Sequence, residues 1–246
     1  MSDINYKTAL VTGATSGIGM ATAISLSEAG IKVIATGRRI EKLKALQSKI
    51  SCEIIQLDIR DQDKIYSSLE NLEIDILINN AGVGKGFSPI FKTEPEDINI
   101  TTDTNVTSFL HVLRAVVPGM VNRKRGHIIN LGSVAGLYPM ASSVYGGSKG
   151  AVHLINQNLR LELSGTGVRA TEICPGRVET EFFDVAFSDN PEKKKEMTSG
   201  FTLLKQEDIA DAIMFALKAP WRMNVSLIEI TPTEQAPGGS KIEGIK

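Results

Sequence analysis

The sequence predicts an α/β fold, doubly wound around a mostly parallel sheet of seven strands. Three observations carry this. Short apolar runs are continuous rather than alternating, as expected of strands covered on both faces. Helical stretches separate them at the spacing of strand–helix–strand crossovers. The chain has 246 residues and 42% hydrophobic content, enough for one large core.

The first strand spans 8–12 (Thr8-Ala9-Leu10-Val11-Thr12) and meets Gly13-Ala14-Thr15-Ser16-Gly17-Ile18-Gly19, before a helix over 20–29 that ends at Gly30. A strand, a glycine turn and a helix start form a pyrophosphate site. Backbone N–H groups point outward there, the helix dipole favours negative charge, and glycines let phosphates approach. Gly13, Thr15, Ser16, Gly17, Ile18 and Gly19 are therefore candidate cofactor residues. The spacing is Gly-x-x-x-Gly-x-Gly rather than Gly-x-Gly-x-x-Gly, and such turns also serve packing alone.

A second strand over 31–36 runs into Gly37-Arg38-Arg39. A fold binding NAD usually carries an acid here for the ribose hydroxyls. Two guanidinium groups instead match a 2′-phosphate in shape and charge, which favours NADP(H) over NAD(H). The alternative is an ordinary solvated helix start, with Glu41, the nearest acid in sequence, inside the next helix. The third strand, 53–57, closes on Asp58-Ile59-Arg60. Asp58 suits an adenine amino group or a cap for the helix over 61–69. The fourth, 74–78, enters Asn79-Asn80-Ala81-Gly82, where small residues at a strand's carboxyl end leave room for a ligand. Helices follow over 95–103 and 106–122, then a strand over 127–131, a helix over 145–163, and strands over 168–173 and 225–230. Residues 1–236 are expected to form a single dinucleotide-binding catalytic domain and 237–246 a flexible tail.

The stretch from Ser133 to Lys149 is where proton chemistry concentrates. Tyr145 and Lys149 are four apart, so on a helix they share a face. A tyrosine with a pKa of about 10 becomes a workable acid or base near neutrality if an ammonium stabilises its phenolate. A drop of roughly two to three units takes about 3–4 kcal/mol. Ser133, twelve residues earlier, can return across the loop and offer its hydroxyl to a carbonyl oxygen. The same spacing also arises by chance as a solvated pair, so its weight depends on the cofactor site before it.

Composition narrows the rest. Net charge is −1, from 27 basic and 28 acidic residues, and gives no reason to expect nucleic acid or an anionic membrane. No apolar run approaches the roughly 18–20 residues that span a bilayer. Residues 1–7 lack the apolar core of a signal peptide. Cys52 and Cys174 have no metal-ligand spacing and are expected as buried thiols rather than a disulfide, consistent with a cytoplasmic protein.

Taken together, Thr12-Gly13-x-x-x-Gly17-x-Gly19, Asn79-Asn80-Ala81-Gly82, Ser133, Tyr145-x-x-x-Lys149 and Pro175-Gly176 stand in the order seen in short-chain dehydrogenases/reductases. The resemblance covers residues 7–233 and implies a Rossmann-type fold. Ala35-Thr36-Gly37-Arg38-Arg39, Pro118-Gly119-Met120-Val121 and Thr180-Glu181-Phe182 resemble its NADP-dependent branch acting on 3-hydroxy acids and serine-like substrates. The resemblance implies Tyr145 as general acid/base, Ser133 as the hydroxyl orienting the substrate oxygen, and Lys149 as the group that holds the nicotinamide ribose. Asn105 matches an asparagine supporting a water-linked proton relay, with a helix kink or cap as the alternative. Asn80, Ala81 and Gly82 would line the adenosine and ribose. Pro175 and Gly176 would lead to Val178 and Thr180 at the nicotinamide amide. Gly132 departs from the second serine many members carry.

The implied reaction is reversible hydride transfer between an alcohol and a carbonyl, on a small hydroxy acid or related anionic compound, with NADP(H). Arg177 either clamps the acidic group or faces solvent. Residues 181–202, with Lys193-Lys194-Lys195, are a flap over the substrate or a solvated face. The resemblance also implies a homotetramer built on the helices over 106–122 and 146–163. A non-catalytic NADP-binding sensor or scaffold is the alternative, and it would have no need of the Tyr145/Lys149 pair.

Overall fold

The computed structural model describes residues 4–188 and 190–236; the tail expected over 237–246 lies outside them. Seven strands form one sheet: β1 (Thr8–Val11), β2 (Lys32–Gly37), β3 (Cys52–Gln56), β4 (Ile76–Asn79), β5 (Gly126–Leu131), β6 (Val168–Pro175) and β7 (Leu227–Ile230). Their order is β3-β2-β1-β4-β5-β6-β7. Every pairing is parallel, from Ala9 beside Val33 on one flank of β1 and Ile76 on the other, out to Pro175 beside Ile230. The order reverses between β1 and β4. At that switch point the crossovers leave to opposite faces and a crevice opens beyond the strands' carboxyl ends.

The continuous apolar runs are explained by two cores, one on each face. On one face α1 (Gly17–Glu28), α2 (Ile40–Lys49) and α10 (Gln206–Lys218) bury Ala23, Leu26, Leu43, Leu46, Ile209 and Ile213 against Val11, Val33 and Ile78. On the other, α3 (Gln62–Leu69), α5 (Ser108–Asn122) and α7 (Ser143–Glu162) bury Ile65, Leu69, Phe109, Val112, Val152 and Leu159 against Leu10, Leu77 and Ile128. A Val, Leu or Ile side chain so enclosed contributes about 1.5–3 kcal/mol over exposure, so polar replacement of these enclosed residues is costly on either face.

Strand and helix ends shift by up to three residues from the sequence expectation, and three differences near the site have a local reason. Helix α1 begins at Gly17 rather than residue 20, because the glycine turn closes within Gly13–Ser16 and its last glycines already form the first helical turn. The helices expected over 95–103 and 106–122 are joined. Helix α4 (Pro95–Thr102) passes through a π-turn, Asp103–Thr107, into α5, and Asn105 lies in that turn. Asp58 does not cap α3. Asp61 does, accepting from the Lys64 N–H at 3.1 Å. Helix α10 was not anticipated, although Ile209, Ile213 and Leu217 recur at helical spacing and Asp208 accepts from the Lys205 N–H at its start. Cys174 is buried and Cys52 half-buried, both as free thiols. Among the described residues no helix is long and apolar enough to cross a membrane.

Candidate active site

The crevice at the switch point is a cleft of about 520 Å³. Its glycine wall is held from behind. Gly13 has φ +68°, which a side chain at this position resists, and a Cβ on Gly19 would come within 2.4 Å of the Gly13 carbonyl. The Asn80 amide donates to the Thr12 carbonyl at 2.8 Å, while Thr12 Oγ1 accepts from the N–H groups of Asn80 and Ala81 at 3.0 Å each. The side chain of Asn80 is thus engaged in tying the end of β4 to the glycine turn. At the start of α1, Ser16 makes no side-chain cap and the first turn holds no acid. The leading N–H groups and the positive end of the dipole therefore remain available to an anion at the cleft wall.

The end of β2 carries the cationic rim. Arg39 donates from Nη2 to Thr15 Oγ1 at 2.9 Å and to Ser16 Oγ at 2.7 Å, so its guanidinium lies directly over the glycine turn. Its Nη1 meets Glu181 at 2.7 Å, and Lys42 contacts the same carboxylate, which these two cations hold down at a pKa of about 2. Arg38 stands 4.0 Å from Asp58. Asp58 accepts from Arg60 at 2.7 and 3.1 Å, and the guanidinium keeps its carboxyl below the usual range. Glu41 is the nearest acid in sequence, but in space Glu181 faces Arg39. Arg60, Lys42 and Glu181 complete a rim that the sequence indicated only through Arg38 and Arg39. The partners Arg39 and Glu181 lie 142 positions apart.

At the other end of the cleft stands the proton-transfer group. Ser133 ends the loop after β5 and caps α6 (Val134–Leu137), its Oγ accepting from the Ala135 N–H at 3.1 Å. Ser142 caps α7, accepts from the Tyr145 N–H and donates to the Gly86 carbonyl at 2.8 Å, which fixes where the first turn points. Tyr145 is 7% exposed, lines the cleft with Ser133, and is stacked on Phe87 at 4.6 Å between ring centroids. Phe182 lies 5.6 Å away, at the start of α8 (Phe182–Ala186), and packs so tightly on Gly84 that a Cβ there would be 2.2 Å from its ring. Lys149 is 9% exposed and donates to the Leu131 carbonyl at 2.8 Å.

The electrostatics correct the sequence argument. Burial pushes Tyr145 up to about 12, with the Ser133 hydrogen bond acting the other way, and pulls Lys149 down to about 8, opposed by Cys174 and Glu172. Desolvation here outweighs the benefit that shared helical spacing predicts, because withdrawing water disfavours the charged form of each group.

Of the candidate residues named from sequence, all but Gly19, Asn105 and Arg177 line this one cleft. Asn105 stands just behind it. Its Nδ2 donates to the Val83 carbonyl at 2.9 Å and to Ser148 Oγ at 3.1 Å, and its Oδ1 accepts from the Val83 N–H at 2.8 Å. The side chain therefore staples the π-turn to the loop after β4 and to α7. Asn105→Ala leaves the Val83 N–H and carbonyl without these partners in a buried place. It is expected to lower unfolding free energy by about 2–3 kcal/mol, read from a urea transition. An unchanged midpoint would show that the staple carries no stability. Arg177 lies with its guanidinium 5.1 Å over the Phe201 ring, outside the cleft wall. Lys85, not singled out in the sequence, does line the cleft and reaches Ser188 Oγ at 3.4 Å. The segment expected as a flap carries α8 and α9 (Pro191–Thr198), with Phe183 and Phe187 stacked beside Phe87.

Known proteins share this arrangement. A family model for short chain dehydrogenase matches residues 7–191. The chain is 42% identical over 242 residues to the NADP-dependent 3-hydroxy acid dehydrogenase YdfG of Salmonella typhi, spanning 95% of this chain and 98% of that one. It is 39% identical over 244 residues to a probable NADP-dependent dehydrogenase of Haemophilus influenzae, spanning 96% and 97%. The closed form of a serine dehydrogenase complexed with NADP+ superposes with a TM-score of 0.90 at 39% identity, covering 97% of this chain and 100% of that one.

Proposed function

Since the chain belongs to the short-chain dehydrogenase family, we propose that Tyr145, Ser133 and Lys149 perform the proton transfer in its reaction. The protein is an NADP-dependent oxidoreductase that interconverts an alcohol and a carbonyl. Bound NADP(H) supplies the hydride acceptor or donor. The residues present fit it. The glycine turn with Thr15, Ser16 and Ile18 suits the pyrophosphate, and Arg39 with Arg38 and Arg60 suits the 2′-phosphate. Asp58 and Ile59 suit the adenine, Asn80 to Gly82 the ribose, and Pro175, Gly176, Val178 and Thr180 the nicotinamide amide.

In oxidation Tyr145 takes the substrate hydroxyl proton; in reduction it returns one to the carbonyl oxygen. Ser133 holds that oxygen through its hydroxyl. Lys149 stabilises the phenolate when charged and holds the nicotinamide ribose, while the side chain of Asn105 fixes the wall behind it. Phe87 and Phe182 exclude water from the tyrosine. The observation that carries this reading is a buried tyrosine one helical turn from Lys149, lining the same cleft as Ser133 and the glycine turn. NADPH oxidation over a panel of aldehydes and oxo acids tests it, and absence of turnover across the panel would overturn it. A sensor or scaffold role has no feature in its favour.

For substrate we propose a small 3-hydroxy acid, as the names of the relatives suggest. Its carboxylate needs a cation at the tyrosine end of the cleft. Lys85 lines that end and Arg177 does not, so the anchoring role falls to Lys85. Lys85→Met is expected to raise KM for acidic substrates about tenfold or more, the worth of one charge-assisted hydrogen bond. Neutral alcohols should be spared, and Arg177→Ala should not separate the two classes. Equal losses on acidic and neutral substrates in Lys85→Met would remove the anchor. We also propose a cytoplasmic homotetramer. The exposed Leu110, Leu154 and Leu161 on α5 and α7 supply an apolar face for it, and sedimentation measures the assembly.

A further inference from the structure

We infer that Glu172 and His153 form a positioning pair behind the proton-transfer residues, in which His153 fixes the Glu172 carboxylate and that carboxylate keeps Lys149 charged. The inference rests on the role given to Lys149 above.

Glu172 sits in β6 and is fully buried. A carboxylate there is costly unless it is paired and hydrogen-bonded. Its Oε2 lies 2.7 Å from His153 Nδ1, and His153 Nε2 lies 2.8 Å from Gln157 Nε2 at the surface. An amide nitrogen only donates, so His153 Nε2 accepts and the ring proton stands on Nδ1, donated to Glu172. The imidazole, on α7, thus fixes the Glu172 carboxylate in place. Its other oxygen lies against Gly132: a Cβ there would be 2.2 Å from Oε1 and 3.0 Å from Cys174 Sγ. The glycine that departs from the family's second serine is thus what admits the carboxylate, one residue before Ser133.

The contacts run on to the active site. Around Gly132, Glu172 Oε1 has no hydrogen-bond partner among the described residues, and Cys174 Sγ packs beside it next to Ser133. Lys149 precedes His153 by one helical turn on α7, and its ammonium is anchored on the carbonyl of Leu131, next to Gly132. The ionisable groups facing this spot are few. From α7 come Tyr145, Lys149 and His153. From β6 comes Cys174, whose thiol burial and Glu172 push far up, so it stays protonated. From β7 comes Glu229, the register partner of Cys174, which accepts from the Tyr138 hydroxyl at 2.9 Å. Opposite Glu172, β5 offers only the uncharged Asn130. Of these, Glu172 is the carboxylate that stands in the interior on the Gly132 side of the Lys149 anchor.

Glu172→Gln keeps the shape and removes the charge. The test is the pH profile of kcat for 3-hydroxy acid oxidation with NADP+. With Glu172 neutral, Lys149 loses its proton at lower pH. The alkaline limb should then move down by about half a unit or more, roughly a threefold loss of kcat on that limb. A profile superimposable on the parent's would overturn the inference, whatever happens to stability. Should Glu172→Gln fail to fold, Glu172→Ala combined with Gly132→Asp returns a carboxylate to the same space from the facing loop, and Gly132→Asn is its neutral control. Restoration of the parent limb by Asp and not by Asn supports the pair; identical profiles overturn it. Tyr145→Phe, assayed alongside, separates the two levels. Full turnover there removes the role of Lys149 itself. An inactive Tyr145→Phe beside an unshifted Glu172→Gln removes only the inference drawn from Glu172.

Discussion

Tyr145→Phe is expected to lower kcat by about two to four orders of magnitude in both directions, the range a positioned acid or base supplies, while NADPH still binds. The substitution deletes one oxygen. The ring stays on Phe87 at 4.6 Å and beside Phe182 at 5.6 Å, so the wall it forms remains. What disappears is the hydroxyl that titrates. A rapid titration of NADPH fluorescence with the variant checks binding separately from turnover. Full-rate turnover would end the assignment. The pH dependence has a definite sign. Burial holds the tyrosine proton up to a pKa of about 12, so oxidation, which needs the phenolate, should accelerate as pH rises until Lys149 gives up its proton, and reduction, which needs the tyrosine proton, should slow. Cofactor binding brings groups that favour the phenolate and is expected to lower the apparent value. A kcat for oxidation that is flat with pH would contradict proton transfer through this residue.

Arg39→Ala is expected to cost about 10- to 100-fold in kcat/KM with NADPH and little with NADH, since one charge-assisted contact to phosphate is worth about 1.5–3 kcal/mol. Arg39 is preorganised for that contact by Thr15 and Ser16, at 2.9 and 2.7 Å, over the turn that holds the pyrophosphate. Its Nη1 is taken by Glu181, which a 2′-phosphate must displace or share. Glu181→Gln should therefore tighten NADPH by about threefold, the scale of one exposed ion pair. Parallel losses with NADPH and NADH in Arg39→Ala would mean that the arginine serves the fold rather than the phosphate.

Most of the architecture was legible because it depends on local pattern. The run Ala9-Leu10-Val11 is apolar at every position since β1 lies between two neighbours with helices over both faces. Gly13, Gly17 and Gly19 stand where the chain needs φ above zero or close backbone approach. Tyr145 and Lys149 share a face because four residues are one turn. Helix α10 is equally periodic, with Ile209, Ile213 and Leu217 on its buried face, yet its apolar positions follow a polar segment with no strand directly before it to mark a crossover.

By itself, then, the sequence determined the strand–helix alternation, the glycine turn, the arginine pair and the tyrosine–lysine spacing, all properties of residues within one turn or one loop of each other. Only the tertiary structure decided what surrounds them. It sets Glu181 against Arg39 and Lys42, Lys85 on the cleft wall in place of Arg177, Asn80 behind the glycine turn, and Glu172 beneath Gly132. It also decided the direction of the tyrosine pKa. Charge proximity scales with spacing along a helix, but desolvation scales with how much of the rest of the chain closes over the group, and that is set by contacts far away in sequence.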